Sequence, residues 1–241
     1  MATHTRKLEF EHGGTSFVGE VVVPGAAGAG PFPVVLVMSN VLGLGPQARN
    51  AAVLLAERGM IAVCTDMYGG GAFDADPARP GRLYRALMED RVTLRARAGA
   101  WLDAAKALPE CDGRAAAIGY CFGGACVVEL ARGGADLLAA VSFHGILDTP
   151  LPAEPGAVKA TVAIYAGAGD PYAPPAQTEE CARELAYAGA RYSITVFGDA
   201  MHGFTDPDAM HGVPGIGYNA MAHAVSWAGT LALLDQVFGK K

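Results

Sequence analysis

Apolar positions along this chain fall into two rhythms that take turns almost from end to end. Short continuous apolar runs read as strands: Pro33 to Met38 (Pro-Val-Val-Leu-Val-Met), Met60 to Thr65, Arg114 to Tyr120, Leu137 to Phe143, Thr161 to Ala166 and Arg191 to Phe197. Between them lie longer stretches with helical spacing: Pro46 to Arg58, Glu89 to Leu108, Ala176 to Tyr187 and Met221 to Phe238. The second has Leu94, Ala98, Trp101, Ala105 and Leu108 on one stripe, and Gly59 is placed to end the first. Strand and helix in alternation predict an α/β fold, with a mostly parallel central sheet and helices on both faces. An opening pair, Leu8 to His12 and Ser16 to Val23, reads as antiparallel edge strands. Gly25 to Gly30 reads as a flexible Gly/Ala connection. Tyr68 to Arg82, rich in Gly, Pro and Asp, reads as a loop at the carboxyl edge of the sheet. No repeat and no break in composition divides the chain, so one domain over residues 1–241 is expected.

Composition narrows the function classes. Hydrophobic residues make up 51% and charged residues 17%, which argues for a packed core and against disorder. A net charge of −6 gives no support for nucleic-acid binding. The densest basic group, Arg91, Arg95 and Arg97, reads as a solvated helix face. The start, Met1 to Leu8, lacks the apolar core of a signal peptide, and no stretch nears the roughly 18 apolar residues that span a bilayer. The five cysteines are unevenly spaced with no Cys-x-x-Cys, so neither a zinc site nor a redox dithiol is suggested. A reduced, cytoplasmic protein without a membrane or nucleic-acid partner is the expectation, as a monomer or a homodimer.

The segment Gly119-Tyr-Cys-Phe-Gly-Gly124 changes the picture most. It follows a predicted strand and leads into the apolar run Ala125 to Ala131. This is the Gly-x-nucleophile-x-Gly elbow of α/β-hydrolases, with cysteine in place of the usual serine. Glycines beside a strained nucleophile let strand and helix pack closely. The helix start then aims its amides and dipole at the sulfur. A buried structural cysteine in a Gly-rich turn would carry the same short pattern. The rest of the chain weighs against that, because an acid and a base follow in hydrolase order: Asp170 after Thr161 to Ala166, and His202 after the final strand. Both sit at carboxyl ends of strands, where open α/β sheets build their sites. A turn-forming aspartate before Pro171 and a surface histidine are the plain alternatives. The amides of Phe122 and Val41, the latter in the loop Ser39-Asn-Val-Leu-Gly43, are the candidate oxyanion donors. His144 could line the site or be structural. His4, His12, His211 and His223 lie in contexts that suggest no chemistry, and Cys64 and Cys126 read as packed core residues.

With these residues in hand, the chain resembles the dienelactone hydrolase family, the cysteine branch of the α/β-hydrolases. The likeness is carried by Gly119 to Gly124, Val63-Cys-Thr-Asp-Met-Tyr68, Gly169-Asp-Pro171 and His202-Gly-Phe204, with the tail Gly217 to Ala220, Ser226-Trp227 and Leu234 to Phe238. The resemblance implies hydrolysis of an ester or lactone through an acyl-thioester on Cys121, with His202 as base and then acid, Asp170 fixing its tautomer, and no cofactor. It suggests Asn40, Tyr68, His144, Phe204 and Asp206 around the substrate. Three positions depart from the classical enzyme. Asn40 stands where a glutamate helps to activate the thiol, and Asp206 and Gly70 stand where two arginines hold the substrate carboxylate. A preference for an uncharged ester or lactone is therefore expected, unless Arg82 or Arg85 restores an anion site. The competing expectations are a catalytically idle α/β-hydrolase fold that binds a small molecule or partner, and a redox sensor with Cys126 as the resolving thiol. A Rossmann dinucleotide site is disfavoured, because Gly-x-Gly-x-x-Gly is absent after the first strands.

Overall fold

The structure, a computed structural model, describes residues 3–25, 30–71, 78–209 and 212–239. The centre of the Gly25 to Gly30 connection, part of the Tyr68 to Arg82 segment and His211 lie outside the described residues.

The expected strands assemble into one sheet of eight. In chain order they are β1 (Thr3–His12), β2 (Thr15–Pro24), β3 (Phe32–Met38), β4 (Ile61–Thr65), β5 (Cys111–Tyr120), β6 (Ala139–Phe143), β7 (Thr161–Gly167) and β8 (Arg191–Phe197). Their order across the sheet is β1-β2-β4-β3-β5-β6-β7-β8. β2 is antiparallel to both neighbours, and every pairing from β4 onward to β8 is parallel. After β3 the chain steps to β4 on one side and then returns to β5 on the other. The crevice between the carboxyl ends of β3 and β5 is thus a topological switch point, the place where such sheets bind ligands.

Strand alternation divides the core in two. Val34, Leu36 and Met38 of β3 face one layer with Trp101, Leu94 and Val127, while Val35 and Val37 face the other with Leu55, Ala52 and Leu234. The first layer is covered by α3 (Arg91–Lys106), α4 (Phe122–Arg132) and α5 (Pro175–Tyr187), and the second by α1 (Pro46–Glu57) and α6 (Ala220–Phe238). No helix among the described residues is long and apolar enough to cross a membrane.

Two expectations need correction. The loop expected from Tyr68 to Arg82 ends early, because helix α2 (Ala78–Glu89) begins inside it. Pro80 lies in the first turn, where a missing N–H costs nothing, and Leu87 is buried with Tyr84 and Met88 packed beside it. The next helix starts only at Arg91, because Asp90 caps it by accepting the Thr93 amide at 3.0 Å.

The arginines expected on a solvated face are instead buried (Arg91) or partly buried (Arg95 and Arg97), each with a partner. Arg91 is buried 3.7 Å from Glu129 of α4, and Arg95 reaches the other Glu129 oxygen at 2.8 Å. Arg97 donates to the Met67 carbonyl at 2.9 Å and lies over the Phe17 ring. Spacing along α3 placed these charges together, but it could not reveal a carboxylate buried on a different helix.

Candidate active site

β5 delivers the chain to Cys121, whose φ of 54° and ψ of −114° form a sharp, strained turn into α4. Glycine is required on both sides of it. A Cβ on Gly119 would stand 2.1 Å from the Gly123 carbonyl oxygen, and one on Gly123 would stand 2.0 Å from that of Met38. The helix start therefore lies directly on the backbone leaving β3, with the Phe122 amide at its first turn.

Asp170 follows β7 in a tight turn. One carboxylate oxygen accepts the amides of Tyr172 and Ala173 at 2.8 and 3.0 Å, and the other meets Nδ1 of His202 at 2.8 Å. The aspartate thus closes its turn with one oxygen and holds the His202 ring with the other. The His202 backbone is bonded on each side, its amide to the Gly215 carbonyl and its carbonyl to the Gly217 amide, both at 3.0 Å. The ring is nearly buried and lines the same cavity as the Cys121 side chain. Burial opposes its charge, but the sulfur first and then Asp170 outweigh that cost and push its pKa up to about 10.

The loop after β3 is organised by Asn40. Its Oδ1 accepts the Leu42 amide at 2.9 Å, its carbonyl accepts that of Gly43 at 3.1 Å, and its Nδ2 donates to Gln47 at 3.4 Å. With Oδ1 committed to the loop, Asn40 shapes the backbone that presents Val41. The Tyr68 hydroxyl donates to the Val41 carbonyl at 3.0 Å, and its ring stacks on Phe122 with centroids 5.5 Å apart. Tyr68 thus braces both candidate oxyanion segments from behind the cavity wall.

These groups line a cavity of about 260 Å³. Cys121, His202, Asn40, Val41, His144 and Asp206 are on its wall, together with apolar Leu42, Ile146, Val213 and Ile216. Tyr68 and Phe204 are not among its lining residues. Phe204 is fully buried, edge-on to the His144 ring at 5.1 Å. Among the described residues the lining contains no Lys or Arg, so neither Arg82 nor Arg85 is brought to the cavity. Asp206 is half-buried, and burial raises its pKa.

Sequence reasoning missed Tyr84, Gln47, Tyr172 and Thr205. Tyr84 lines the cavity from α2 and meets Phe122 edge-on at 5.4 Å. The apolar spacing Leu83, Tyr84, Leu87, Met88 could have found it. Gln47, Tyr172 and Thr205 carry no local signal, since their neighbours at the site come from remote loops. Cys126 is fully buried on α4, and burial holds its thiol well above the usual range, which leaves it poorly suited to resolve an oxidised Cys121.

Comparison with known proteins identifies a family and a shared fold. The model of the dienelactone hydrolase family matches residues 19–238. The solved structure of m3DLH is 37% identical and superposes with a TM-score of 0.94, covering 99% of this chain and 100% of that one. A dienelactone hydrolase-like promiscuous phosphotriesterase from metagenomic libraries is also 37% identical, with a TM-score of 0.91 and the same coverage. A carboxymethylenebutenolidase from a Pseudomonas species is 35% identical over 131 residues, which span 51% of this chain and 52% of that protein.

Proposed function

The chain belongs to the dienelactone hydrolase family, an ester and lactone hydrolase group, and from that premise we propose that it cleaves a small uncharged ester or lactone through a Cys121–His202–Asp170 triad. The observation that carries the reading is the His202 ring, held by Asp170 at 2.8 Å on one nitrogen and lining the same cavity as Cys121. Proton transfer from Cys121 to His202 creates the attacking thiolate. Attack on the carbonyl carbon moves its π electrons to oxygen, where the Phe122 and Val41 amides receive the charge. Collapse expels the alcohol oxygen, which takes the proton from His202, and leaves an acyl-thioester. Neutral His202 then deprotonates water, and the resulting attack releases the acid and restores the thiol. In a lactone the expelled alcohol stays tethered to the acyl group.

The preference for an uncharged substrate rests on the cavity wall. An anion entering there meets Asp206 and, among the described residues, no lining Lys or Arg to offset it. The same property suits a neutral phosphotriester, the class named for one relative, and this is the second substrate to assay.

The test is hydrolysis of a short-chain p-nitrophenyl ester by wild type and Cys121→Ala. The wild type should turn over and the variant should lose on the order of 1,000-fold or more. Activity that persists in Cys121→Ala removes the triad. A preference for anionic dienelactone over neutral esters removes the charge argument. A wild type inactive toward every ester, lactone and triester offered would favour an idle, ligand-binding fold.

A further inference from the structure

Cys121 and His144 are the two non-glycine residues with positive φ among the described residues, at 54° and 40°. Backbone of this kind persists where its surroundings over-determine it, and it gathers at functional sites. Here the two strained residues touch. The Cys121 amide is shared between the Phe143 carbonyl at 3.0 Å and Nδ1 of His144 at 3.2 Å. A neutral ring that accepts at Nδ1 carries its proton on Nε2. That nitrogen stands 2.8 Å from Oγ1 of Thr205, which also receives Nε2 of Gln47 at 3.0 Å. Gln47 in turn accepts from Asn40, whose Oδ1 holds the Leu42 amide.

We propose that His144 is a positioning residue that sets the distance between the Asn40–Val41 loop and the Cys121 elbow through the chain Asn40, Gln47, Thr205, His144 and the Cys121 amide. The proposal rests on the thiol-hydrolase reading, because the oxyanion it serves would form between Val41 and Phe122. The links join segments that follow β3, β5, β6 and β8, and no shared strand or helix otherwise connects all four at this end of the sheet. His144 and Thr205 are each about 2% exposed, so water cannot replace a lost partner cheaply.

The surroundings of the ring suit a fixed hydrogen-bond bridge. Phe204 packs edge-on at 5.1 Å, Tyr120 lies 6.3 Å away, and the His202 ring is 5.1 Å off. Burial first, then the charge of His202 with a smaller contribution from His223, hold His144 neutral, well below the usual histidine range. It bridges because it stays uncharged beside a histidine that charges.

The experiment separates the two ends of the bridge. His144→Gln can keep a donor toward Thr205 but has no acceptor at the position of Nδ1, and Thr205→Val removes the hydroxyl at nearly constant shape. Each should lower kcat on the p-nitrophenyl ester about 10- to 100-fold, with KM within about threefold, as for loosened oxyanion geometry. The double variant should lose less than the product of the two. Thr205→Ser should restore turnover. Iodoacetamide should alkylate Cys121 at the wild-type rate in every variant, since alkylation needs the thiol and His202 but no oxyanion donor. Turnover within about twofold of wild type, or alkylation lost along with turnover, would overturn the proposal. A readout independent of activity is the ring itself by ¹⁵N NMR, where neutral His144 with the proton on Nε2 is expected at neutral pH. A charged ring, or a proton on Nδ1, would overturn it as well. Activity surviving in Cys121→Ala fails the thiol-hydrolase reading instead, and leaves the NMR result standing as a separate fact.

Discussion

Asp170 divides its two oxygens between a turn and a histidine, and that division explains how a short loop holds a ring in place. The amides of Tyr172 and Ala173 fix one oxygen, which leaves the other aimed at His202. The result is a histidine whose charge is stabilised from both sides, with a pKa raised to about 10. The imidazolium is therefore present below that value and is lost as pH rises through it. Since the protonated ring must deliver a proton to the leaving alcohol, kcat/KM should fall as pH rises through about 10, measured with a substrate whose own hydrolysis is subtracted. In Cys121→Ala the largest raising influence is gone, so His202 followed by NMR should titrate lower than in wild type. An unchanged titration would mean that the sulfur does not face the ring. At this scale the sequence singled out Cys121, Asp170 and His202, the proposed triad, by residue type and chain order. Tyr68 and Phe204 were named for the substrate wall, but they support it from behind, a distinction that depends on side-chain direction.

Elements were legible where their pattern was uninterrupted. The buried strands of the parallel sheet carry continuous apolar runs, and the longer helices carry stripes. α2 escaped because Gly, Pro and Asp before and within its first turn mask a stripe that becomes apolar only from Leu83. A close packing contact shows how much an element depends on a neighbour far away in sequence. A Cβ on Gly19 of β2 would lie 2.5 Å from both the Cys64 carbonyl oxygen and the Trp101 ring. Trp101 cannot retreat, because it is fully buried, donates to the Asp66 carbonyl at 2.7 Å and sits edge-on to Phe10 at 4.7 Å. Gly19→Ala should therefore destabilise the protein by about 1–3 kcal/mol, read as a shift in the urea midpoint, with little change in kcat. A midpoint equal to wild type would show that β2 yields.

Across the whole molecule, α3, α4 and α5 are tied together by charge as well as by apolar contact. Glu129 lies at the centre, with Arg95 and Arg132 at 2.8 and 2.9 Å and Arg91 at 3.7 Å. Arg132 continues to Glu184 of α5 at 2.7 Å and donates to the Leu147 carbonyl at the same distance. Glu129 and Arg132 lie on α4, the helix that starts at the elbow. Glu129→Ala should leave three guanidinium groups short of their shared carboxylate. The expected loss is about 3–5 kcal/mol, the cost of breaking a buried pair by removing one member. Equilibrium unfolding checks it, and a loss below about 1 kcal/mol would mean that water or rotation re-solvates the arginines.

The sequence by itself determined the order and type of most elements, and it singled out Cys121, Asp170 and His202 as the proposed nucleophile, acid and base and Asp206 and Gly70 as positions without an arginine. These follow from local rules: apolar runs of strand length, stripes of helical spacing, and glycines where a nucleophile turn leaves no room for a Cβ. Tertiary structure alone decided that Arg91 and Arg95 are paired inside, that Asn40 spends its side chain on its own loop, and that His144 reaches the Cys121 amide. For the arginines and for His144 the reason is the same. The partners lie tens of residues apart in the chain, and hydrogen-bond distance between such segments exists only once the sheet has brought their ends to one edge.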